Sequence, residues 1–354
     1  MDPTYPLVPI VNFIACFLIL ASLAGLIHRP WNTGVSMLAV YVFLQSIVVG
    51  TDAIIWSKNA NDVAPVWCDI TTHFYIFAQS AIPACLFIIT RRLFNIVCLR
   101  SSLTDVNQRK RRNEFLLEFL LCLGFPMVVT GLYYIVQGAR YNIYEEIGCR
   151  ASLYHSGTSD LLFSIGYYLL PLVSLFVHTP TIFWTLYRQR REMAKFLDST
   201  ENTFRNDFLR PFILSFVVVV PLLLNIPIYI VITTGTDKSL GPNYVFWPGW
   251  NAIHTNWGPN HITASNWRAN GFPDIFSLKY YVWTDPLYAV GFFAVFGLTE
   301  DACQWYRSAF WAAVKPCGLR PKINSPDGVS KAASEIRFQP PRNRPTLDSG
   351  MLVA

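Results

Sequence analysis

Charge is scarce in this chain. Only 14% of its 354 residues are Asp, Glu, Lys or Arg, against about a quarter in soluble domains. With 53% hydrophobic residues and a mean hydropathy of +0.33, a water-soluble globule is disfavoured. Catalytic signatures are missing too: no Gly-rich phosphate loop, no H-E-x-x-H and no G-x-S-x-G occurs. An enzyme is therefore not expected. The eight cysteines never form a C-x-x-C, which leaves zinc and thioredoxin-type readings without support. His254 and His261 are seven apart in a loop, a weak basis for a metal. No metal, cofactor or nucleic acid is expected. There is no N-x-S/T acceptor for N-glycosylation. The first apolar run lacks a basic n-region, so no cleavable signal peptide is expected.

Long apolar runs fill the space that charge leaves. A membrane helix needs about 20 mostly apolar residues, and seven stretches qualify, at about 5–27, 33–56, 74–98, 115–137, 159–187, 209–234 and 274–298. The expected fold class is an all-α integral membrane protein, a seven-transmembrane helix bundle over residues 1–298. A short amphipathic juxtamembrane helix at 299–316 and a disordered tail at 317–354 follow. Ala302, Trp305, Tyr306, Ala309, Phe310 and Ala313 recur at helical spacing, which suits a helix lying on a leaflet. The tail is Pro-, Ser- and Arg-rich, too polar for a core.

The few cations are unevenly placed. Of 28 Lys and Arg, one alternating set of connections holds 22 and the other 6. Basic residues in short loops stay on the cytoplasmic side, so the expected N-terminus is outside and the tail inside. Two cationic clusters fall on that inner face: Arg91, Arg92, Lys110, Arg111 and Arg112 between spans three and four, and Arg188, Arg190 and Arg191 after span five. Contact with anionic lipid headgroups is the bland explanation for either alone. Two together at the inner ends of spans three, five and six favour a protein partner.

Inside the hydrocarbon, a charge is expensive and points to a functional or structural network. Asp52, Glu118 and Asp285 qualify. Asp52, near the outer end of span two, is a candidate ligand contact. Glu118 is expected to pair with local arginines. Asp285 is read as a buried carboxyl hydrogen-bonded to a neighbouring helix, in preference to a ligand contact. A retinal protein would need a deep Lys in the last span and acids on span three. Lys279 is near a span end and residues 74–98 hold no acid, so that reading is poor. A transporter or ion-translocating protein is the alternative, although no repeat of matching halves is evident. Prolines punctuate the spans, among them Pro126, Pro171, Pro180 and Pro286.

On the outer side, Cys68 and Cys149 are the only cysteines expected to meet an oxidising compartment, and a disulfide between them is expected. The long connection at about 235–273 carries Trp247, Trp250, Trp257 and Trp267 with His254. Trp offers apolar area with one polar handle, so these five residues are candidate ligand contacts, with an interfacial aromatic belt as the plain alternative. Cys317 on the inner side is a candidate palmitoylation site, with an unmodified thiol the other reading.

The motifs APVWCDITTH, RRLFNIV, YYIVQGARYNIYEEIGC, FWPGWNAIHTNW and FFAVFGLTEDACQWYR resemble the fungal a-factor-type mating-pheromone receptors, a class D branch of G-protein-coupled receptors. The resemblance runs in order from about residue 5 to 315. It implies a multi-pass plasma-membrane receptor for a farnesylated peptide pheromone, coupled to a heterotrimeric G protein upstream of a MAP-kinase cascade. Arg91 and Arg92 would be coupling residues, with Arg188, Arg190 and Arg191 a second set. One pattern departs from rhodopsin-like receptors: in DPLY, Tyr288 follows Pro286 by two residues, not three, and no D-R-Y ends span three.

Overall fold

Apolar runs of this length must bond their own backbone polar groups, because hydrocarbon offers no partner. Helices do so, and the computed structural model describes them over residues 5–26, 33–98, 108–193 and 245–315. The expected sixth span, the tail and Cys317 lie outside the described residues.

The helices, in chain order, are α1 (Leu7–Leu26), α2 (Thr33–Ile55), α3 (Pro65–Cys98), α4 (Gln108–Phe119), α5 (Phe125–Val136), α6 (Gly157–Val173), α7 (Thr179–Met193), the short α8 (Trp250–Ile253) and α9 (Ala264–Ala269), α10 (Phe272–Phe292) and α11 (Glu300–Val314). Wide π-helical turns join α4 to α5 at Leu120–Gly124 and α6 to α7 at Ser174–His178, and another extends α10 at Phe293–Gly297. Four stretches are long and apolar enough to cross a membrane: Thr33–Ile55, Pro65–Asn95, Arg112–Val136 and Gly157–Thr185. Leu7–Leu23 is apolar but shorter, and Asp274–Gly297 meets that test only together with the helix that follows. The described residues 307–315 belong to a separate unit.

The bundle closes around small side chains. Ala15, Ala39, Ala81, Cys85 and Ala289 are wholly or almost wholly buried between α1, α2, α3 and α10, letting backbones approach where lipid gives helices no hydrophobic drive to associate. Gly34 shows the limit, since a Cβ there would stand 3.1 Å from the Cys85 carbonyl oxygen. Outward, Phe17, Val128, Phe176 and Phe183 are each at least 60% exposed, a surface suited to acyl chains.

Proline is accommodated by the turns and by side chains. Pro126 cannot donate to the carbonyl of Cys122. The Tyr41 hydroxyl donates to that oxygen instead, at 3.0 Å, and the π-helical turn widens the backbone just before the ring.

The all-α expectation needs one correction. Three short strands, β1 (Asn142–Tyr144), β2 (Gly148–Arg150) and β3 (Asn260–Ile262), form a sheet in the order β2-β1-β3. β1 and β2 are antiparallel, with Ile143 opposite Cys149, and β1 and β3 are parallel, with Ile143 opposite His261. β2 is wholly buried against α2 and α3, so its backbone groups must be paired. Three-residue strands carry no readable alternation, so sequence periodicity could not announce them.

Candidate functional site

The sheet forms a lid over one end of the bundle, and the cysteines hold it there. Cys68, in the first turns of α3, is bonded to Cys149 of β2, with Cα atoms 5.3 Å apart. Arg140 grips Asp69 of α3 with two guanidinium nitrogens, Nε standing 2.8 Å from Oδ1, the fork geometry that suits Arg to carboxylates. Tyr133 of α5 donates its hydroxyl to the Ser152 carbonyl and accepts from the Ser152 N–H. Burial and the Asp62 carboxylate, which accepts the Tyr141 hydroxyl at 3.0 Å, push the Tyr141 phenol up to about 12.

Asp52 is part of this fastening and not an open ligand contact. It is 1% exposed. Its Oδ1 accepts the Trp67 indole N–H at 2.7 Å and its Oδ2 accepts the Cys149 backbone N–H at 3.3 Å. Gly148, at φ +102°, presses onto the carboxyl, so the hairpin turn seals it.

Trp267 is likewise a pillar. It is 1% exposed, and its indole donates to the Glu145 carbonyl at 3.2 Å. The Glu145 carboxylate accepts the Ala264 N–H at 2.7 Å, capping the region where α9 begins. Arg268 forms an ion pair with Glu146. Burial nonetheless holds the Glu146 carboxyl above the usual glutamate range, with the nearby Arg268 charge working against it.

Three of the sequence-nominated residues do come together at the surface. The Trp250 and His254 rings stack at 4.1 Å, and the Trp257 and His254 rings at 5.5 Å. Tyr134, at the end of α5, stands 5.4–5.7 Å from all three. The His254 ring nitrogens lie 2.9 Å from the Trp250 carbonyl and 3.1 Å from the Tyr134 carbonyl. Trp250 is 47% exposed and Trp257 40%, so the cluster presents open aromatic area. Trp247 is 41% exposed, while its neighbour Phe246 is tied to the start of α6 by Thr158. Sequence reasoning missed Tyr134, which reads as one more apolar residue of span four; only the loop folding back reveals it.

At the opposite end, Arg92 pairs with Glu118 of α4, Nε to Oε1 3.5 Å. Arg91 lies near His178, whose ring packs between Phe87 and Phe94. Arg112 and Arg188 are exposed. The side chains of Lys110, Arg111, Arg190 and Arg191 lie outside the described residues. Among the described residues, no group of three or more His, Cys, Asp or Glu could hold a metal ion. Asp285 departs from expectation: its Oδ2 has no hydrogen-bond partner among the described residues.

Among the described residues, helices long and apolar enough to cross a membrane lie under a cross-braced lid with an aromatic patch beside it. The chain matches the Pheromone A receptor family over residues 7–317 and belongs to it. It is 28% identical to Pheromone receptor 1 of Mycosarcoma maydis over 96% of this chain and 93% of that one. It is 26% identical to the Pheromone B alpha 3 receptor of Schizophyllum commune over 91% of this chain and 50% of that one. The Pheromone a factor receptor of Saccharomyces cerevisiae is 22% identical, over 85% and 61% respectively. The chain spans about half the length of the Schizophyllum commune receptors.

Proposed function

We propose that this chain is a seven-span, class D receptor of the a-factor type at the plasma membrane. It binds a prenylated peptide pheromone at the lid end, which faces outside. It then activates a heterotrimeric G protein through the basic end and so drives the mating-response MAP-kinase cascade. The observation that carries the reading is family membership over residues 7–317. The patch of Tyr134, Trp250, His254 and Trp257 supports the choice of ligand, because a prenyl tail needs apolar area and a peptide needs polar edges within the same few ångströms. Arg91, Arg92, Lys110, Arg111, Arg112, Arg188, Arg190 and Arg191 are the proposed G-protein contacts, and their uneven placement supports the orientation.

Activation is a shift between two helical packings, limited by the ligand's differential affinity for them. The test expresses the chain in a fungal strain lacking its own pheromone receptors and carrying a G-protein-dependent reporter. Synthetic peptides are applied with and without a C-terminal farnesyl cysteine methyl ester. A response confined to prenylated peptides is expected. Silence across a broad panel with the receptor at the surface would overturn the reading, as would peptide-independent substrate flux in reconstituted vesicles.

A further inference from the structure

Deeper in the bundle, residues of α3, α6 and α10 line a cavity whose interior admits only a few water-sized groups. Tyr167, Tyr168, Tyr281, Tyr288, Gln79 and Asp285 are among the residues that line it. Asp285 is 4% exposed, and its Oδ2 is unpartnered among the described residues. The adjacent hydroxyl does not serve it, because Thr284 donates to the Tyr280 carbonyl at 2.8 Å. Arg150 of β2 is close enough for its charge to be felt at Asp285. Its guanidinium, however, lies over the Tyr75 ring at 5.0 Å, and its Nη2 is unpartnered as well. The two act on each other through space, without a hydrogen bond among the described residues.

A buried carboxyl oxygen with no hydrogen-bond partner among the described residues is costly, so this one calls for a donor. Tyrosine faces carry the negative side of a quadrupole and attract a cation placed over them. One carboxylate oxygen and four rings in a small cavity complement a compact cation bearing N–H groups on a carbon stem. A bare metal ion fits less well, since it must replace its water shell with several oxygen ligands. We propose that this cavity is an ammonium site, and that it takes a primary amine of the peptide ligand, either its amino terminus or a lysine. The source of the amine rests on the receptor reading above; the site itself does not.

Two experiments separate these claims. The full chain is purified in detergent and its thermal midpoint followed by tryptophan fluorescence in methylammonium chloride or sodium chloride at equal ionic strength. A saturable upward shift with methylammonium, about 2 °C beyond sodium, is expected, lost in Asp285→Asn and reduced in Tyr168→Leu. The lipid-facing variant Leu287→Ala should keep it. Equal shifts from both salts, or a larger one from sodium, overturn the site even if neither variant folds. In reporter cells, active peptides are then compared with N-acetylated and lysine-to-norleucine forms. Blocking the seated amine should cost about tenfold in potency on the wild-type receptor and nothing further in Asp285→Asn. Full potency of both blocked forms overturns the ligand assignment. If every peptide is inactive, the receptor reading has failed, and the methylammonium shift alone decides the site.

Discussion

Replacing Gly148 with alanine tests whether the lid is seated on Asp52. At φ +102° an L residue is strained by about 1–3 kcal/mol. A Cβ there would also lie 2.7 Å from the Asp52 Cγ and 2.8 Å from Oδ2, too close for any real contact. The carboxyl must shift, loosening its bonds to Trp67 and Cys149. Hydrogen bonds to a charged group contribute about 1.5–3 kcal/mol each, so losing one adds roughly 2 kcal/mol to the strain. Gly249→Ala supplies the control. Its φ is +97°, yet nothing lies within 4 Å of the added Cβ, so it carries the strain without the clash. Thermal midpoints of the detergent-purified full chain should fall in both variants, and further in Gly148→Ala by on the order of 5 °C. Equal losses would show that the hairpin does not depend on this contact and would refute the role given to Asp52.

Other outcomes follow from the same geometry. Trp250→Ala and Trp257→Ala should each weaken response to an active prenylated peptide by about thirtyfold with unchanged surface expression, measured as reporter dose–response. Replacing Cys68 and Cys149 with serine opens a closure spanning 81 residues; the chain-entropy relation gives at most about 4.5 kcal/mol, so the thermal midpoint should fall markedly, as it should when a reductant is added to the wild-type chain. Tyr41→Phe removes the hydroxyl donor from the Cys122 carbonyl and should cost about 1 kcal/mol, lowering the midpoint by a few degrees without changing peptide potency. Glu146 has its folded-state pKa raised by burial, so its contribution to stability is fully present below the ordinary glutamate value and lost as pH rises through the raised one. Hydrogen exchange across β1 and β2 should therefore quicken as pH is raised from the acid side, after correction for intrinsic rates, and Glu146→Gln should flatten that dependence.

Much of the helical framework was legible because hydropathy is a local property. A run of twenty apolar residues must satisfy its own backbone wherever its neighbours lie, so Thr33–Ile55 and Arg112–Val136 announce themselves from composition. The cation asymmetry is legible in the same way, residue by residue. Cys68 and Cys149 were nominated without coordinates because so few cysteines fall on the side read as oxidising. Trp250, His254 and Trp257 were nominated by density of aromatics, and they do cluster.

The roles of individual polar groups were not legible, because a polar side chain is defined by what stands opposite it. Asp52 and Asp285 look alike in sequence, each an acid within an apolar helix. Trp67 and Cys149 give the first two donors and Gly148 a seal, while the packing of α3, α6 and α10 leaves the second lining a cavity rich in tyrosine. Trp267 differs from Trp250 for the same reason: one meets the carbonyl of Glu145 in the interior, the other the rings of His254 and Tyr134 and open surface. Composition and order along the chain determined which segments become helices and which family they belong to. Which charges are sealed and which stay available was decided by contacts between residues 15 to 122 positions apart, which only folding brings within hydrogen-bonding reach.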